Sequence, residues 1–255
     1  MPTMAFGASF QTACPTGTYN PNNGSTSSSF CLEADTGHYV DSTGSANQIP
    51  CAVGTYQPST GQSSCIDASA GNYVDITAST TQTPCPTGTY QPSTGQSFCV
   101  NAGAGYYVGS TGSSSETPCA VGTYQPSPGQ SSCIDASAGN YVEFGGSTTQ
   151  TPCPTGTYQP STGQSSCIDA SAGYYVGSTG SSSQTPCAVG TYQSSTGQSS
   201  CIDASAGNYV DITASTTQTP CPTGTYQPST GQSSCIDSSA GYYVDTSGST
   251  NQTAC

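Results

Sequence analysis

The sequence contains no lysine, no arginine and no tryptophan. Thirteen acidic residues and one histidine give it a formal net charge of −13. A chain without cationic side chains cannot neutralise nucleic-acid phosphates, and it has no basic patch for anionic lipid headgroups. We therefore expect no nucleic-acid partner, and we expect repulsion among the carboxylates of separate copies at neutral pH.

Large apolar side chains are also scarce. Leu, Ile, Val and Phe together number 25 of the 255 residues, far below the roughly 20% under which a charged chain is expected to be disordered. They are too few for one large core. No apolar run approaches the length of a membrane span, so we expect no membrane insertion. The opening MPTMAFGASF lacks the basic and apolar regions of a signal peptide.

Cysteine, by contrast, is abundant, with 15 residues. Dense and regularly spaced cysteines in a chain with so little apolar surface indicate a disulfide framework, and hence an oxidising, extracellular location, secreted or at the cell surface. From Cys31 onwards a long gap alternates with a short one, as from Cys31 to Cys51 and then from Cys51 to Cys65. The cysteines therefore follow a 34-residue period, and such a repeat has to be recognised before strands are assigned.

Glycine and tyrosine reveal a shorter, 17-residue period. A glycine and a tyrosine follow Cys51 by three and five residues, and the same pair follows Ala68. From Tyr39 to Tyr243 a tyrosine stands at every seventeenth position, a phase that a disordered linker would not keep. The unit is a 17-residue half-repeat in two forms: a cysteine half-repeat such as CPTGTYQPSTGQSSCID, and a cysteine-free half-repeat such as ASAGNYVDITASTTQTP.

A larger period follows from the way the half-repeats alternate. Cysteine half-repeats that begin CAVGTY and CPTGTY take turns, which gives a 68-residue period and allows two faces of an array to differ. We divide the chain into a lead segment 1–13, a divergent first repeat 14–50, six 34-residue cysteine-rich repeats 51–254, and Cys255, the first residue of a further, truncated repeat.

The two forms suggest how the cysteines pair. Cys85 and Cys99 occupy the same two positions of their half-repeat as Ala68 and Gln82 do in a cysteine-free half-repeat, which lacks both cysteines together. Joint absence is expected if the two positions face each other. Pairing within each cysteine half-repeat is therefore favoured.

A rival scheme links one cysteine half-repeat to the next, for example Cys65 to Cys85, and leaves Cys14 without a partner. The sequence alone does not settle the connectivity. Under either scheme one cysteine is left over, and in the favoured scheme it is Cys255, unpaired or bridged to another chain. The favoured pairs are Cys14–Cys31, Cys51–Cys65, Cys85–Cys99, Cys119–Cys133, Cys153–Cys167, Cys187–Cys201 and Cys221–Cys235.

Each cysteine half-repeat is predicted to form a β-hairpin closed by its own disulfide. GTYQ and GQSSC suit short exposed strands, and QPSTGQ between them has Pro and Gly where a turn needs them. A bridge that closes a loop of about fifteen residues stabilises a marginal hairpin by roughly 3 kcal/mol. The cysteine-free half-repeats are predicted to be hairpins that depend on their bridged neighbours.

The predicted fold class is all-β, small and disulfide-rich. It is an elongated tandem array of short β-hairpin modules, 17-residue half-repeats within 34- and 68-residue repeats, without a large hydrophobic core. In such an array each unit is expected to contact only its neighbours. No segment has helical periodicity.

CPTGTYQPSTGQSSC resembles the ephrin-receptor-like and TNF-receptor-like cysteine-rich repeats, whose hallmark is C-P-x-G-T-Y, a glycine-containing turn and a closing cysteine. The resemblance extends over almost the whole chain from Cys14. It implies an extracellular, elongated protein built from small disulfide-bridged β modules. Those families usually carry C-x-x-C at each junction, whereas CIDA and QTPC here keep only one cysteine of that pair.

No set of residues points to catalysis, and we expect that the protein is not an enzyme. His38, the only histidine, is interpreted as a solvent-exposed substitution. Carboxylates that follow Cys-Ile could bind Ca²⁺ at module junctions, but no Ca²⁺-binding spacing is present, and solubilising charge is the favoured interpretation. No C-x-x-C pattern suggests zinc, and we expect no cofactor. The aspartates are Asp67, Asp135, Asp169, Asp203 and Asp237, with Asp75 and Asp211 eight residues beyond two of them.

The tyrosines at 17-residue intervals are interpreted as the main apolar element of each module, packing on the disulfide and the next turn. The alternative is a stripe that binds carbohydrate or a partner. Asn23 and Asn251 lie in N-glycosylation sequons, and many Ser and Thr residues beside Pro suit O-glycans, so covalent glycans are expected.

The sequence thus favours an extracellular structural protein that forms a rod, stalk or fibril, as a surface filament or matrix component, and that associates with itself end to end or laterally. Near-identical units suit uniform length and repeated contacts, and they suit poorly the single asymmetric site of an enzyme. The alternative is a cell-surface adhesin or receptor-like ectodomain stalk that binds a partner or presents a head domain.

Overall fold

The computed structural model describes residues 12–22 and 30–255, and within these ranges it contains short β-strands and no α-helix. The all-β, disulfide-rich tandem array is therefore confirmed. The strands are β1 Thr18–Tyr19, β2 Leu32–Glu33, β3 His38–Tyr39, β4 Ile49–Pro50, β5 Thr55–Tyr56, β6 Ile66–Asp67, β7 Asn72–Tyr73, β8 Thr83–Pro84, β9 Thr89–Tyr90, β10 Val100–Asn101, β11 Tyr106–Tyr107, β12 Thr117–Pro118, β13 Thr123–Tyr124, β14 Ile134–Asp135, β15 Asn140–Tyr141, β16 Thr151–Pro152, β17 Thr157–Tyr158, β18 Ile168–Asp169, β19 Tyr174–Tyr175, β20 Thr185–Pro186, β21 Thr191–Tyr192, β22 Ile202–Asp203, β23 Asn208–Tyr209, β24 Thr219–Pro220, β25 Thr225–Tyr226, β26 Ile236–Asp237, β27 Tyr242–Tyr243 and β28 Thr253–Ala254.

Each odd-numbered strand pairs antiparallel with the even-numbered strand that follows it, which makes one hairpin per half-repeat. The second strand of a cysteine hairpin lies further along than predicted, because Tyr56 of β5 pairs with Ile66 of β6. GQSSC is therefore part of the loop. The side chain of Gln57 holds this loop: its Nε2 donates to the Ser64 carbonyl oxygen at 2.9 Å, and its Oε1 accepts from the Ser59 amide at 3.1 Å.

Cysteine-free hairpins are closed by a side-chain hydrogen bond instead of a disulfide. We number positions in a half-repeat from 1 at the first cysteine or at the residue that replaces it, so that Ala68 is position 1 and Gln82 is position 15. The Gln82 Oε1 accepts a hydrogen bond from the backbone amide of Ser69, position 2, at 2.8 Å. The residues at position 15 that accept this bond are Gln48, Gln82, Glu116, Gln150, Gln184, Gln218 and Gln252.

The chain divides into two compact units. The first consists of the described residues up to Pro118 together with Ser127–Ser132, and the second of Cys119–Pro126 together with Cys133–Cys255. Within each unit the buried positions of most half-repeats are 1, 4 and 7. At these buried positions, position 1 is Cys or Ala, position 4 is Gly, and position 7 is Gln or Val in turn. The interior is therefore a thin line of small and medium side chains.

Backbone hydrogen bonds join each half-repeat to the next within a unit. In the first unit, the position 4 amide of Gly54 donates to the position 7 carbonyl of Val74 at 2.7 Å. The amide at position 7 of the first half-repeat donates to the carbonyl at position 12 of the next half-repeat at 3.0 Å. In the other direction, the amide at position 11 of the next half-repeat donates to the carbonyl at position 1 of the first at 2.8 Å. In the second unit Gly156 begins the same series with a bond to Val176 at 2.8 Å.

Contacts also reach the half-repeat two further along. The expectation that a half-repeat contacts only its immediate neighbours is therefore wrong. In the first unit the turn carbonyl of Gly95, at position 11, lies against Gly54: a Cβ built on Gly54 would lie 2.8 Å from the Gly95 carbonyl carbon and closer still to its oxygen. Gly197 packs on Gly156 in the same way in the second unit. The physical reason is that a glycine at position 4 leaves room for the incoming turn.

Two alanines at turn position 11 adopt left-handed backbone conformations, with φ of 56° at Ala78 and 57° at Ala214. A Cβ makes this conformation cost about 1–2 kcal/mol, part of which is offset by the greater freedom of glycine in the unfolded chain. We expect Ala78→Gly to raise the free energy of unfolding by roughly 0.5–1 kcal/mol in urea denaturation with the disulfides intact.

The control for this substitution is Ala52→Gly. Ala52 is exposed and has no positive φ, so glycine there adds only unfolded-state entropy, and a small loss of stability is expected. A loss at Ala78→Gly of the same size as at Ala52→Gly would contradict the prediction.

Candidate functional surface

The structure joins the cysteines in consecutive pairs, each within one hairpin, and the Cα atoms of each pair are 5.6–5.8 Å apart. The first cysteine of a pair is buried and the second is half-buried, as at Cys51 and Cys65. Cys255 is exposed and has no disulfide partner among the described residues. The bridges are Cys14–Cys31, Cys51–Cys65, Cys85–Cys99, Cys119–Cys133, Cys153–Cys167, Cys187–Cys201 and Cys221–Cys235.

One of the two N-glycosylation sequons, that of Asn251, lies in the described part of the chain. Asn251 is exposed and lies two residues before the start of β28, and its Nδ2 donates to the Thr250 Oγ1 at 3.4 Å. Asn23 lies outside the described residues. Glycan attachment at either asparagine stays a prediction.

His38 is half-buried, whereas the sequence suggested an exposed side chain. The reason is its place at position 5, which lies in the first strand of each hairpin and is half-buried in most half-repeats. The Nδ1 of His38 lies 3.2 Å from the Thr36 carbonyl oxygen. This is a local backbone contact within one turn.

The carboxylates that follow Cys-Ile lie beside turns and not beside one another. In the first unit a Cβ built on Gly95 would lie 3.4 Å from the Cγ of Asp67. Glu33, at the same position 17, accepts a hydrogen bond from the Thr60 Oγ1 at 2.8 Å. Both contacts span two half-repeats. No group of three or more His, Cys, Asp or Glu side chains that could hold a metal ion occurs among residues 12–22 and 30–255.

Among the described residues, a half-buried tyrosine at position 6 lines a recess in each unit. The recess of the first unit has a volume of about 350 Å³, and that of the second about 290 Å³. Each includes the closing cysteine of the following cysteine half-repeat, so the tyrosine lies near the disulfide. The first is lined chiefly by Tyr73, Asp75, Pro86, Thr89, Phe98 and Cys99, and the second by Tyr141, Glu143, Pro154, Thr157 and Cys167.

The two recesses are separated along the sequence by one 68-residue period and correspond position by position. Sequence reasoning noted this period but did not single out Pro86 or Pro154. The signal was present: an acidic residue at position 8 of a cysteine-free half-repeat precedes a CPTGTY half-repeat at Asp75, Glu143 and Asp211. The larger period thus has a counterpart on the surface.

In the part of the chain that the structure describes, no helix has the length and apolar character to cross a membrane.

Comparison with known families matches one family model, described as tyrosine-protein kinase ephrin type A/B receptor-like. It matches five segments: residues 37–83, 71–119, 139–187, 173–219 and 207–255. Within each unit successive matches begin one 34-residue cysteine period apart. A search of curated proteins finds no match. Because the matched segments together cover most of the sequence and coincide with the disulfide-closed repeats, the chain belongs to the ephrin type A/B receptor-like family.

Proposed function

We propose that this chain is an extracellular structural repeat protein that forms a rod, stalk or fibril. Its disulfides and its family point to an extracellular repeat domain of the non-catalytic, receptor-ectodomain type. The observation that supports a structural role most directly is the series of backbone hydrogen bonds that joins each half-repeat to the next within a unit.

Bonds of this kind extend an array without a large core. They use backbone amides and carbonyls, so surface side chains can vary while the period is kept. Length then grows by adding repeats, each of which contributes its own contacts. The same contacts, made between copies, would support end-to-end association, and glycans on Asn251 and on exposed Ser and Thr would cover the polar surface.

Lateral association is governed by charge. A net charge of −13 with no cationic side chain opposes the approach of two copies. Because dissolved salt screens this repulsion beyond about 10 Å at 0.1 M, lateral contacts are expected to strengthen as ionic strength rises.

Electron microscopy of the unreduced protein tests the proposal. We expect elongated particles or filaments, and we expect particles to shorten in proportion when residues 119–186, one 68-residue period, are deleted. If filaments form, their axial repeat is expected to be commensurate with the 17-, 34- or 68-residue period. Compact particles whose dimensions stay the same after the deletion would contradict the structural role.

The second candidate is an adhesin or receptor-like stalk that binds a partner. The paired recesses at Tyr73 and Tyr141 favour it, because they place an aromatic ring and a carboxylate together at the surface of each unit. Discrete particles of one length, with no filaments at any salt concentration, would favour this candidate over the fibril.

A further inference from the structure

The two recesses bring a carboxylate next to a tyrosine ring. The geometry is clearest where glycine stands at position 8: a Cβ built on Gly109 would lie 3.5 Å from the Cε2 of Tyr107, and one on Gly177 would lie 3.6 Å from the Cε2 of Tyr175. A side chain at position 8 therefore starts beside the ring. In the two recesses that side chain is acidic, and it belongs to Asp75 or Glu143.

These carboxylates have no partner within the described residues. Asp75 and Glu143 are exposed, and within residues 12–22 and 30–255 neither carboxylate accepts a hydrogen bond. The chain contains no lysine or arginine that could pair with them. Proline and threonine complete the walls, so each recess offers an apolar side, an aromatic face and a negative charge.

We propose that each recess binds a lysine or arginine side chain of a basic partner protein. A cation over a tyrosine ring is attracted by the ring, and a carboxylate at its edge adds a charge-assisted hydrogen bond. The volumes of about 290 and 350 Å³ accommodate one such side chain. Another copy of this chain cannot be the partner, because its sequence holds no lysine or arginine.

The repetition of the recess makes the binding multivalent. The sequence carries the same tyrosine, acid and proline a third time at Tyr209, Asp211 and Pro222. A partner with several basic side chains on a flexible segment would engage more than one recess, and the second contact then forms at a high effective concentration. The cysteine-free half-repeats with Gly109 and Gly177 lack the acid and serve as neutral positions between the binding ones.

The test uses the full chain and a fluorescent peptide in which three arginines are separated by long Gly-Ser linkers, with a matched peptide that carries citrulline in place of arginine. Fluorescence anisotropy at 50 mM and 300 mM NaCl measures the affinity. We expect the arginine peptide to bind, the affinity to fall with salt, and the citrulline peptide to bind at least about tenfold more weakly.

Two triple variants separate the recess from general charge. Asp75→Asn/Glu143→Gln/Asp211→Asn removes the recess acids, and we expect it to weaken binding by about tenfold or more. Asp67→Asn/Asp135→Asn/Asp203→Asn removes the same charge at position 17, where Asn101 stands naturally beside Gly129, and we expect a much smaller effect. Gly177→Asp adds an acid beside Tyr175 and is expected to strengthen binding.

Three results would overturn the proposal. Equal losses in the two triple variants would mean attraction by net charge alone. Equal binding of the citrulline peptide would mean that the recess takes a neutral polar ligand, such as a glycan. Absence of binding of the arginine peptide at 50 mM NaCl would show that the recess has no affinity for a cation.

Discussion

Gly54→Ala is expected to lower the free energy of unfolding by about 3 kcal/mol or more, because the new methyl group would occupy the space of the Gly95 carbonyl. Two costs add at this position. Gly54 has φ of 85°, a conformation that a Cβ disfavours, and the turn of the half-repeat two further along has to move away. The amide of Gly54 also donates to Val74, so displacement would weaken that bond.

Gly224→Ala is the matched control. Gly224 occupies the same position 4 with φ of 86°, but a Cβ built there meets no atom within 4 Å. Only the conformational cost remains, about 1–2 kcal/mol. Urea denaturation with intact disulfides gives both values, and hydrogen exchange of the Gly54 amide in the native protein reports the local effect. Equal losses in the two variants would contradict the prediction, because they would show that the Gly95 carbonyl beside Gly54 adds nothing to the cost of the methyl group.

The spacing of three residue types was enough to predict most of the fold. Cysteines indicated the 34-residue period, and glycine and tyrosine indicated the 17-residue half-repeat. Each half-repeat is one hairpin with its two strands in the order expected. These features depend on short stretches of chain, where turn residues and a nearby pair of positions decide the geometry.

The positions of the strands were predicted less well. The β-strand propensity of a residue does not show whether hydrogen bonds from another side chain will keep that residue in a loop. Ser and Cys in GQSSC suit a strand as well as a loop. The buried side chain of Gln57, 4% exposed, bonds to the backbone on both sides of the loop and moves the second strand to Ile66–Asp67. Such a bond depends on the folded loop itself.

Contacts between half-repeats could not be derived from one half-repeat. The glycine at position 4 recurs throughout the chain and marks the period. A recurring glycine also signals a close backbone approach, and the structure identifies the approaching group as the turn two half-repeats further along. The recess was missed for a similar reason, because its walls, such as Tyr73 and Pro86, come from different half-repeats.

In the cysteine-free half-repeats, the residue type at position 15 is informative in itself, beyond the absence of a cysteine there. It is glutamine or glutamate in the cysteine-free half-repeats, and each of these side chains accepts a bond from the position 2 amide, as Gln82 does from Ser69 at 2.8 Å. The two forms of half-repeat are therefore two ways to close one hairpin, one covalent and one by a hydrogen bond.

If the two closures are equivalent, replacing the disulfide of one hairpin by the hydrogen bond is expected to change the free energy of unfolding by different amounts in two different hairpins. Cys51→Ala/Cys65→Gln converts one hairpin to the cysteine-free form, and the amide of Ala52 at position 2 can donate to the new glutamine. Loss of the bridge costs about 3 kcal/mol, and the new bond offsets about 1 kcal/mol of it. A net loss of about 2 kcal/mol is expected in urea denaturation.

At Cys85 and Cys99 the same exchange is expected to lose the whole contribution of the bridge, about 3 kcal/mol. Position 2 there is Pro86, which has no amide hydrogen to donate. The comparison that isolates the hydrogen bond is glutamine against alanine at position 15, with alanine at position 1 in both cases. At residue 65, glutamine is expected to give a free energy of unfolding about 1 kcal/mol higher than alanine does. At residue 99, glutamine and alanine are expected to give the same free energy of unfolding.

Adding Pro86→Ala to the variant with Cys85→Ala and Cys99→Gln is expected to restore the gain, because the backbone at position 2 then carries an amide hydrogen. Adding Pro86→Ala to the variant with alanine at both cysteine positions is expected to give no such gain. If glutamine stabilises both hairpins equally while Pro86 is present, its effect does not come from the position 2 amide, and the two forms of half-repeat are not alternative closures of one hairpin.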